Sequence, residues 1–379
     1  MLKLPPLSLY IHIPWCVQKC PYCDFNSHTL KGEIPQQEYV AHLLADLDID
    51  AKLVAGRSVK TIFVGGGTPS LLSAESMQAL MDGVRQRVDL DPHAEVTMEA
   101  NPGTIEAGRF AGYQAAGINR ISIGVQSFGN DKLITLGRIH GADEAKRAAQ
   151  LATNLNLRSF NLDLMHGLPA QTQVEGLSDL RQAIELAPPH LSWYQLTIEP
   201  NTQFGSRPPV LPDDDTLWDI YTEGHKLLSA AGYQQYETSA YAKPGYQCQH
   251  NLNYWRFGDY LGIGCGAHGK ISFEDGQILR TVKTKHPRGY MEGRYMHQSY
   301  DVDASDRPFE YFMNRFRLLE AMPRAEFTQY TGLPESTVRA AIDEALAKSY
   351  ITETVDEWQI TEHGKLFLNS LLELFLGEE

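Results

Sequence analysis

The chain has 379 residues and a formal net charge of −14, with 33 Lys and Arg against 47 Asp and Glu. That carboxylate excess excludes a general attraction for nucleic acid or an anionic bilayer, and 42% hydrophobic with 21% charged residues excludes a disordered chain or a coiled coil. No apolar run approaches membrane-spanning length and no secretory leader pattern opens the chain, so the expectation is a cytoplasmic globular protein.

In chain order, Leu7–Ile13 reads as a buried strand and Gln36–Ala55 as a helix. Strands then recur at Thr61–Val64, Glu95–Glu99, Arg120–Gly124, Ser159–Met165 and Leu191–Ile198. Helical patterns at Ser73–Val88, Ile105–Ala116, Ala142–Leu155 and Val174–Leu186 lie between them, with an extra segment at Asp131–Leu136. This alternation predicts an α/β fold with a parallel sheet and right-handed crossovers. Six units are too few to close an eight-fold barrel, so a partial (β/α)6 barrel over residues 1–200 is expected. Gln203–Asp215 reads as a surface loop and Thr216–Ala231 as a helix. Tyr233–Lys285 is aromatic and Gly-rich, with a hairpin signal at Asp275-Gly276, and belongs to an extension over 201–304. Helical patterns at Phe309–Ala321, Arg324–Thr331 and Glu335–Lys348, a hairpin at Tyr350–Ile360 and a last helix suggest a winged-helix-like α+β domain over 305–379. That stretch holds 7 Lys and Arg against 14 Asp and Glu, which argues against a phosphate-binding surface.

Polar residues gather after the strands, at the edge where parallel α/β folds place their sites. Cysteines follow the first strand and Gly65-Gly66-Gly67-Thr68-Pro69 the second. Glu99 and Asn101 end the third, Gln126 and Ser127 follow the fourth, the fifth contains Asp163 and leads to His166, and the sixth leads to Glu199. Of the five cysteines, Cys16, Cys20 and Cys23 crowd into one loop. An odd, clustered set points to metal ligation rather than to a disulfide framework. Three closely spaced thiolates can hold three irons of a [4Fe-4S] cube and leave the fourth open to a small ligand. Pro14 and Pro21 would stiffen the loop, and Trp15, Tyr22 and Phe25 would shield the cluster. Zinc, with His12 or His28 as a fourth ligand, is the alternative, but no second Cys-x-x-Cys half stands nearby.

The spacing Cys16-x-x-x-Cys20-x-x-Cys23, with Tyr22 before the last cysteine, resembles the radical S-adenosylmethionine superfamily. The resemblance implies that the open iron chelates the methionine moiety of S-adenosylmethionine, whose cleavage yields a deoxyadenosyl radical. Gly65 to Pro69 is not a P-loop, since no Lys-Ser/Thr pair follows. Within the superfamily the chain resembles the subfamily of the oxygen-independent coproporphyrinogen III dehydrogenase and the haem chaperones. This resemblance implies cofactor-binding roles for Tyr10, Gly66, Gly67, Thr68, Glu99, Gln126, Arg138 and Asp163. Read singly, Arg138 could be a surface pair, Gln126 a loop cap and Asp163 a structural hydrogen-bonder.

His250-Asn251-x-x-Tyr254-Trp255 resembles the motif that marks the haem chaperone branch, which implies that His250 ligates haem. An imidazole is a common axial ligand and aromatics pack on porphyrin faces; by itself His250 could equally be a core histidine. Two departures from the dehydrogenase separate the branches: its further cysteine is Phe25 here, and its N-terminal extension is lacking. Gly264-Cys265-Gly266-Ala267-His268-Gly269 fits a dinucleotide fingerprint, but a strand rather than a helix follows it, so it reads as a bend near the site mouth. His268 faces that site or serves the bend. The expected function is thus haem binding and delivery to apo-haemoproteins of the respiratory chain. Haem donors, peripheral membrane contact and a homodimer are expected with it, and no residue is given a catalytic role. The alternatives are tetrapyrrole decarboxylation and a zinc-stabilised binding protein.

Overall fold

The computed structural model describes residues 2–104, 107–155 and 157–376. Its strands begin with β1 (Leu7–Ile13), the two-residue strands β2 (Trp15–Cys16) and β3 (His28–Thr29), and β4 (Ser58–Gly66). They continue with β5 (Asp89–Ala100), β6 (Arg120–Gln126), β7 (Ser159–His166) and β8 (His190–Gln195). The connecting helices are α1 (Gln36–Asp50), α2 (Ala74–Arg85), α3 (Ala107–Ala116), α4 (Asn130–Thr135), α5 (Ala142–Asn154) and α6 (Gln173–Glu185). The predicted start of α3 at Ile105 lies outside the described residues. Side-chain caps mark helix starts: Ser73 accepts from the Ser76 N–H, and Thr172 with Glu175 forms a capping box.

The order β1-β4-β5-β6-β7-β8 is parallel throughout, the predicted partial barrel. One face of each strand is apolar and packs under the helices, as with Leu9, Ile62, Met98, Ile123 and Leu162, all buried. The other face lines the barrel interior and is polar. There Ser8 bonds Thr61 at 2.7 Å, and Asn161 donates to Ser122 at 2.8 Å.

The extension begins with α7 (Gln203–Ser206), a capped turn where a loop is predicted, and α8 (Asp214–Ala230). It then adds β9 (Gln234–Glu237), β10 (Ala240–Ala242), α9 (Gln249–Trp255), β11 (Asp259–Ile263), β12 (His268–Ser272), β13 (Ile278–Lys283) and β14 (Met296–Asp301). These strands extend both edges of the barrel sheet into twelve strands, with β11 parallel to β1 and β10 antiparallel to β8. Covering an edge removes its unpaired backbone groups from solvent. Buried ion pairs pin the β1 side: Lys270 to Asp259 at 2.9 Å, Arg57 to Asp259 at 2.8 Å, and Lys283 to Asp46 at 2.6 Å.

Beyond α10 (Pro287–Met291), the C-terminal stretch packs α11 (Arg307–Arg315), α12 (Arg324–Thr331) and α13 (Arg339–Ala347) against a small sheet. That sheet is ordered β15 (Met322–Pro323), β17 (Glu357–Ile360) and β16 (Ile351–Glu353), the winged-helix-like arrangement expected. Its core is aromatic, with Phe312 and Phe375 ring centres 4.1 Å apart. Helix α11 stops at Arg315 rather than Ala321 because the following backbone is drawn to β9: Thr238 donates to the Arg317 carbonyl and Leu319 to that of Tyr236. Among the described residues no helix is long and apolar enough to cross a membrane.

Candidate functional site

The cysteine loop leaves β1, makes the short β2–β3 pairing and returns on itself. The His28 N–H donates to the Pro14 carbonyl, Leu30 to Cys16, and Cys23 to Cys20. The exposed Lys19 ties the loop by donating from Nζ to the Phe25 and Ser27 carbonyls at 3.2 and 3.5 Å. Cys16, Cys20 and Cys23 are part-exposed and line one cleft of about 980 Å³. Burial holds the Cys16 and Cys23 thiols above their ordinary pKa, so their ionisation is coupled to the arrival of a cation. Among the described residues no three His, Cys, Asp or Glu side chains converge tightly enough to hold a single metal ion. Three thiols spread around one cleft suit a multi-iron cluster, in which each thiolate binds its own iron.

The glycine loop at the end of β4 forms the facing wall. Gly66 has φ +118°, and a Cβ there would meet the His12 ring at 2.6 Å; a Cβ on Gly67 would meet the Trp15 carbonyl at 2.6 Å. Glycine is needed at both positions for the loop to pass this close to the cysteine strand. The Gly66 N–H donates to Glu99 Oε2 at 3.0 Å. Burial, with Asp163 as a second negative neighbour, pushes Glu99 up to about 8. Asp163 is raised mainly by burial, against bonds from Asn161 at 2.8 Å and Ser122 at 3.2 Å. The cleft thus carries two part-buried acids with a shortage of positive partners, a local charge balance that a cationic ligand would satisfy.

Arg138 Nη2 donates to the Gly124 carbonyl at 2.7 Å, and its Nη1 lies 3.6 Å from Cys20 Sγ. It therefore links the fourth strand end to the cysteine loop and is no surface pair. Gln126 sits at φ +70°, which turns its side chain into the cleft, where Tyr194 Oη donates to Oε1 at 3.3 Å. Gly66, Gly67, Thr68, Glu99, Gln126, Arg138 and Asp163 all line the cleft with the three cysteines.

Other predicted residues stand elsewhere. Tyr10 lines a second, larger cavity of about 1350 Å³ that shares Phe25, Gly66 and Glu99 with the first. His250 is 1% exposed and touches neither cavity. Its Nδ1 bonds Thr61 Oγ1 at 2.8 Å, its backbone N–H donates to Glu95, and Nε2 has no partner. Tyr254 and Phe63 flank its ring at 4.7 and 5.2 Å, and Tyr254 lies between it and the larger cavity. Ser127 donates to Asp179, His166 is buried against Trp193, and the Glu199 carbonyl accepts from the hydroxyl of Thr202, the N-cap of α7, so these three strand-end residues serve the fold. Of the predicted shields, Trp15 packs on Tyr39, Tyr22 lines the cleft near Phe204, and Phe25 is 61% exposed between the cavities.

Sequence reasoning passes over Tyr194 and Ser122. The period-two alternation puts Tyr194 on the face of Ser192 and Ser122 on that of Gly124, both beside Asp163, and this is the signal that could have found them.

Residues 10–183 match the Radical SAM superfamily and 302–367 the HemN C-terminal domain. The chain is 75% identical over 378 residues to the heme chaperone HemW of Escherichia coli, covering 100% of both chains. It is 65% identical over 383 residues to heme chaperone HemW of Haemophilus influenzae, again over 100% of both. A solved structure of coproporphyrinogen III oxidase (HemN) from Escherichia coli, described as a radical SAM enzyme, superposes with TM-score 0.84. That likeness is at 24% identity, covers 98% of this chain and 90% of the other, and concerns the fold. The predicted barrel, its appended winged-helix-like module and these identities agree: the chain belongs to the heme chaperone HemW family of the radical SAM superfamily.

Proposed function

We propose that this protein binds haem and delivers it to apo-haemoproteins, on a scaffold that carries a [4Fe-4S] cluster and S-adenosylmethionine. The observation that carries the reading is the convergence of Cys16, Cys20 and Cys23 with Gly66, Gly67, Thr68, Glu99, Gln126, Arg138 and Asp163 on one cleft, beside a larger aromatic cavity. Its relatives' name supports the haem part.

In this reading the thiolates of Cys16, Cys20 and Cys23 would hold the cluster, which when bound would supply an open iron and an electron for the sulfonium. The chain's own residues do the rest. The glycine loop lets backbone approach the methionine moiety, and Glu99, once ionised, faces its ammonium group. Gln126 and Asp163 offer polar contacts to the remainder, while Arg138 steadies the loop through Cys20 and Gly124. Tyr10 acts from the adjoining cavity, its Oη bonded to His12 Nδ1 at 2.9 Å. The His250 imidazole is neutral, since burial pushes it down to about 3, and would serve as a haem ligand only from behind the Tyr254 ring that separates it from the larger cavity. The roles follow the three stretches: 1–200 for cluster and cofactor, 201–304 for haem, 305–379 for docking. Haem donors and apo-haemoproteins of the respiratory chain are the partners, met from the cytoplasm by peripheral membrane contact, with the chain as a homodimer.

The test is anaerobic reconstitution followed by titration with ferric haem and addition of an apo-cytochrome. Haem uptake and transfer, with no turnover of coproporphyrinogen III to protoporphyrinogen IX, is the expected result. Turnover of the porphyrinogen, or no haem uptake, contradicts it.

A further inference from the structure

The larger cavity holds chemistry that the cofactor set does not use. One wall comes from the barrel through Tyr10, and the opposite wall from the extension through Tyr254, Trp255 and Tyr260. Tyr254 and Tyr260 meet edge to face with centres 4.5 Å apart, a rigid aromatic surface suited to a flat macrocycle. Part-buried Arg280 also lines the cavity; its Nη1 donates to Tyr260 Oη at 2.8 Å, and Nη2 pairs with Glu310 at 2.6 Å. Its remaining N–H donors suit a carboxylate. Lys270 also lines the cavity but is committed to Asp259.

Two imidazoles line this space, and they differ. His12 has both nitrogens occupied, Nδ1 by Tyr10 and Nε2 by the Asn26 carbonyl at 2.8 Å. His268, the exposed first residue of β12, has no side-chain hydrogen bond among the described residues. The bend before it, with Gly264 at φ +98° and Gly266 at φ +71°, is held by Tyr39 and Tyr290, whose hydroxyls accept from the Cys265 and Gly264 N–H groups. A fixed bend therefore carries a free imidazole to the rim of an aromatic cavity. Partial burial, then Lys285 and Arg280, keep that imidazole below its ordinary pKa, hence neutral near pH 7 and able to donate a lone pair to a metal.

We propose that the larger cavity is the haem seat, with His268 as an axial ligand of the iron and Arg280 as the partner of a propionate. This rests on the haem-binding reading above and names the ligand that is accessible while His250 stays behind Tyr254. The coordination is a Lewis acid–base bond from the imidazole lone pair to ferric iron and needs no redox partner.

The experiment titrates ferric haem into the full-length, cluster-reconstituted protein and into H268A, H268Y and R280Q, following the Soret band and the EPR spectrum. Expected are an imidazole-type spectrum in the wild type, its loss with about a tenfold weaker affinity in H268A, and a phenolate-type spectrum in H268Y. R280Q should keep the wild-type spectrum and lose several-fold in affinity. His268 is exposed, so folding is not at stake, and an unchanged cluster EPR signal in each variant checks it. If the wild type takes up haem and H268A matches it in spectrum and affinity, the iron is held elsewhere and this inference falls alone. If the wild type takes up no haem, the haem-binding reading falls as well.

Discussion

The two ends of the barrel interior use the same residue types for opposite purposes. At the upper end stand Cys16, Cys20, Cys23, Glu99 and Arg138 around an open cleft. At the lower end stand Cys248, His250, Glu95 and Arg120, none more than 3% exposed. There α9 enters the barrel like a stopper, Glu95 accepts from the His250 N–H at 3.1 Å and faces Cys248 Sγ at 3.6 Å, and Arg120 lies beside this group. The upper set leaves charges and thiols short of partners, whereas most of the lower set satisfies itself. Residue type nominates a site; the presence of space and of unmet bonding capacity decides between a site and a plug.

Substitutions at the two ends should therefore separate stability from ligand binding. The largest effect is expected at the lower end. Glu95→Ala leaves the buried His250 N–H without its acceptor and takes one negative neighbour from the buried Arg120, and should lower stability by about 3–5 kcal/mol in urea unfolding; a change below about 1 kcal/mol would mean the lower group is not a structural unit. Next is His250→Ala, which removes a ring packed on Phe63 and Tyr254 and should cost about 2–5 kcal/mol with or without haem. At the upper end, Glu99→Gln should barely change stability but weaken S-adenosylmethionine binding about tenfold or more by isothermal calorimetry.

The same carboxyl sets a pH dependence. Glu99 is neutral below about 8, so wild-type affinity for the cationic cofactor should rise with pH up to about 8. Binding at pH 7 should release a proton, and Glu99→Gln should abolish both effects. For stability at acid pH the buried histidines set the dependence, and it too rises with pH. His12, His140 and His166 are lowered to about 4 and His250 to about 3, each mainly by burial. Unfolded imidazoles titrate near 6.5, so their contribution is present above pH 6.5 and is lost as pH falls through about 4. Thermal melts between pH 7 and 4 should show a progressive loss. The smallest effect is expected for Tyr194→Phe, which removes one bond to Gln126 and should weaken cofactor binding by about 0.5–1.5 kcal/mol.

The upper end was the more legible in sequence. Strand–helix alternation places every strand end on one edge, so cysteines, glycine loop, Glu99, Gln126 and Asp163 could be gathered without coordinates, whereas Arg138 and the cofactor roles of the set came only from the family resemblance. The extension resisted such reading because its strands pair with distant ones. Nothing local announces that Asp259–Ile263 runs parallel to Leu7–Ile13, or that Arg317 to Leu319 leave their helix for Tyr236 to Thr238. The burial of His250 was hidden for the same reason, since Thr61 and Glu95 lie more than 150 residues away in sequence. Tyr10, by contrast, occupies the right strand and faces the interior, but the ring reaches the neighbouring cavity instead of the cysteine cleft.

The cleft shared by Cys16, Cys20, Cys23 and the glycine loop would hold an iron–sulfur cube on three thiolates and leave one iron for S-adenosylmethionine. Electron–nuclear double resonance on the reduced, reconstituted protein with S-adenosylmethionine labelled at its amino nitrogen and carboxylate tests this most directly. Hyperfine coupling from both labels to the cluster is expected, with its loss in a Cys20→Ala variant. A cluster signal without coupling to either label, or coupling to a protein side chain at the fourth iron, would contradict it.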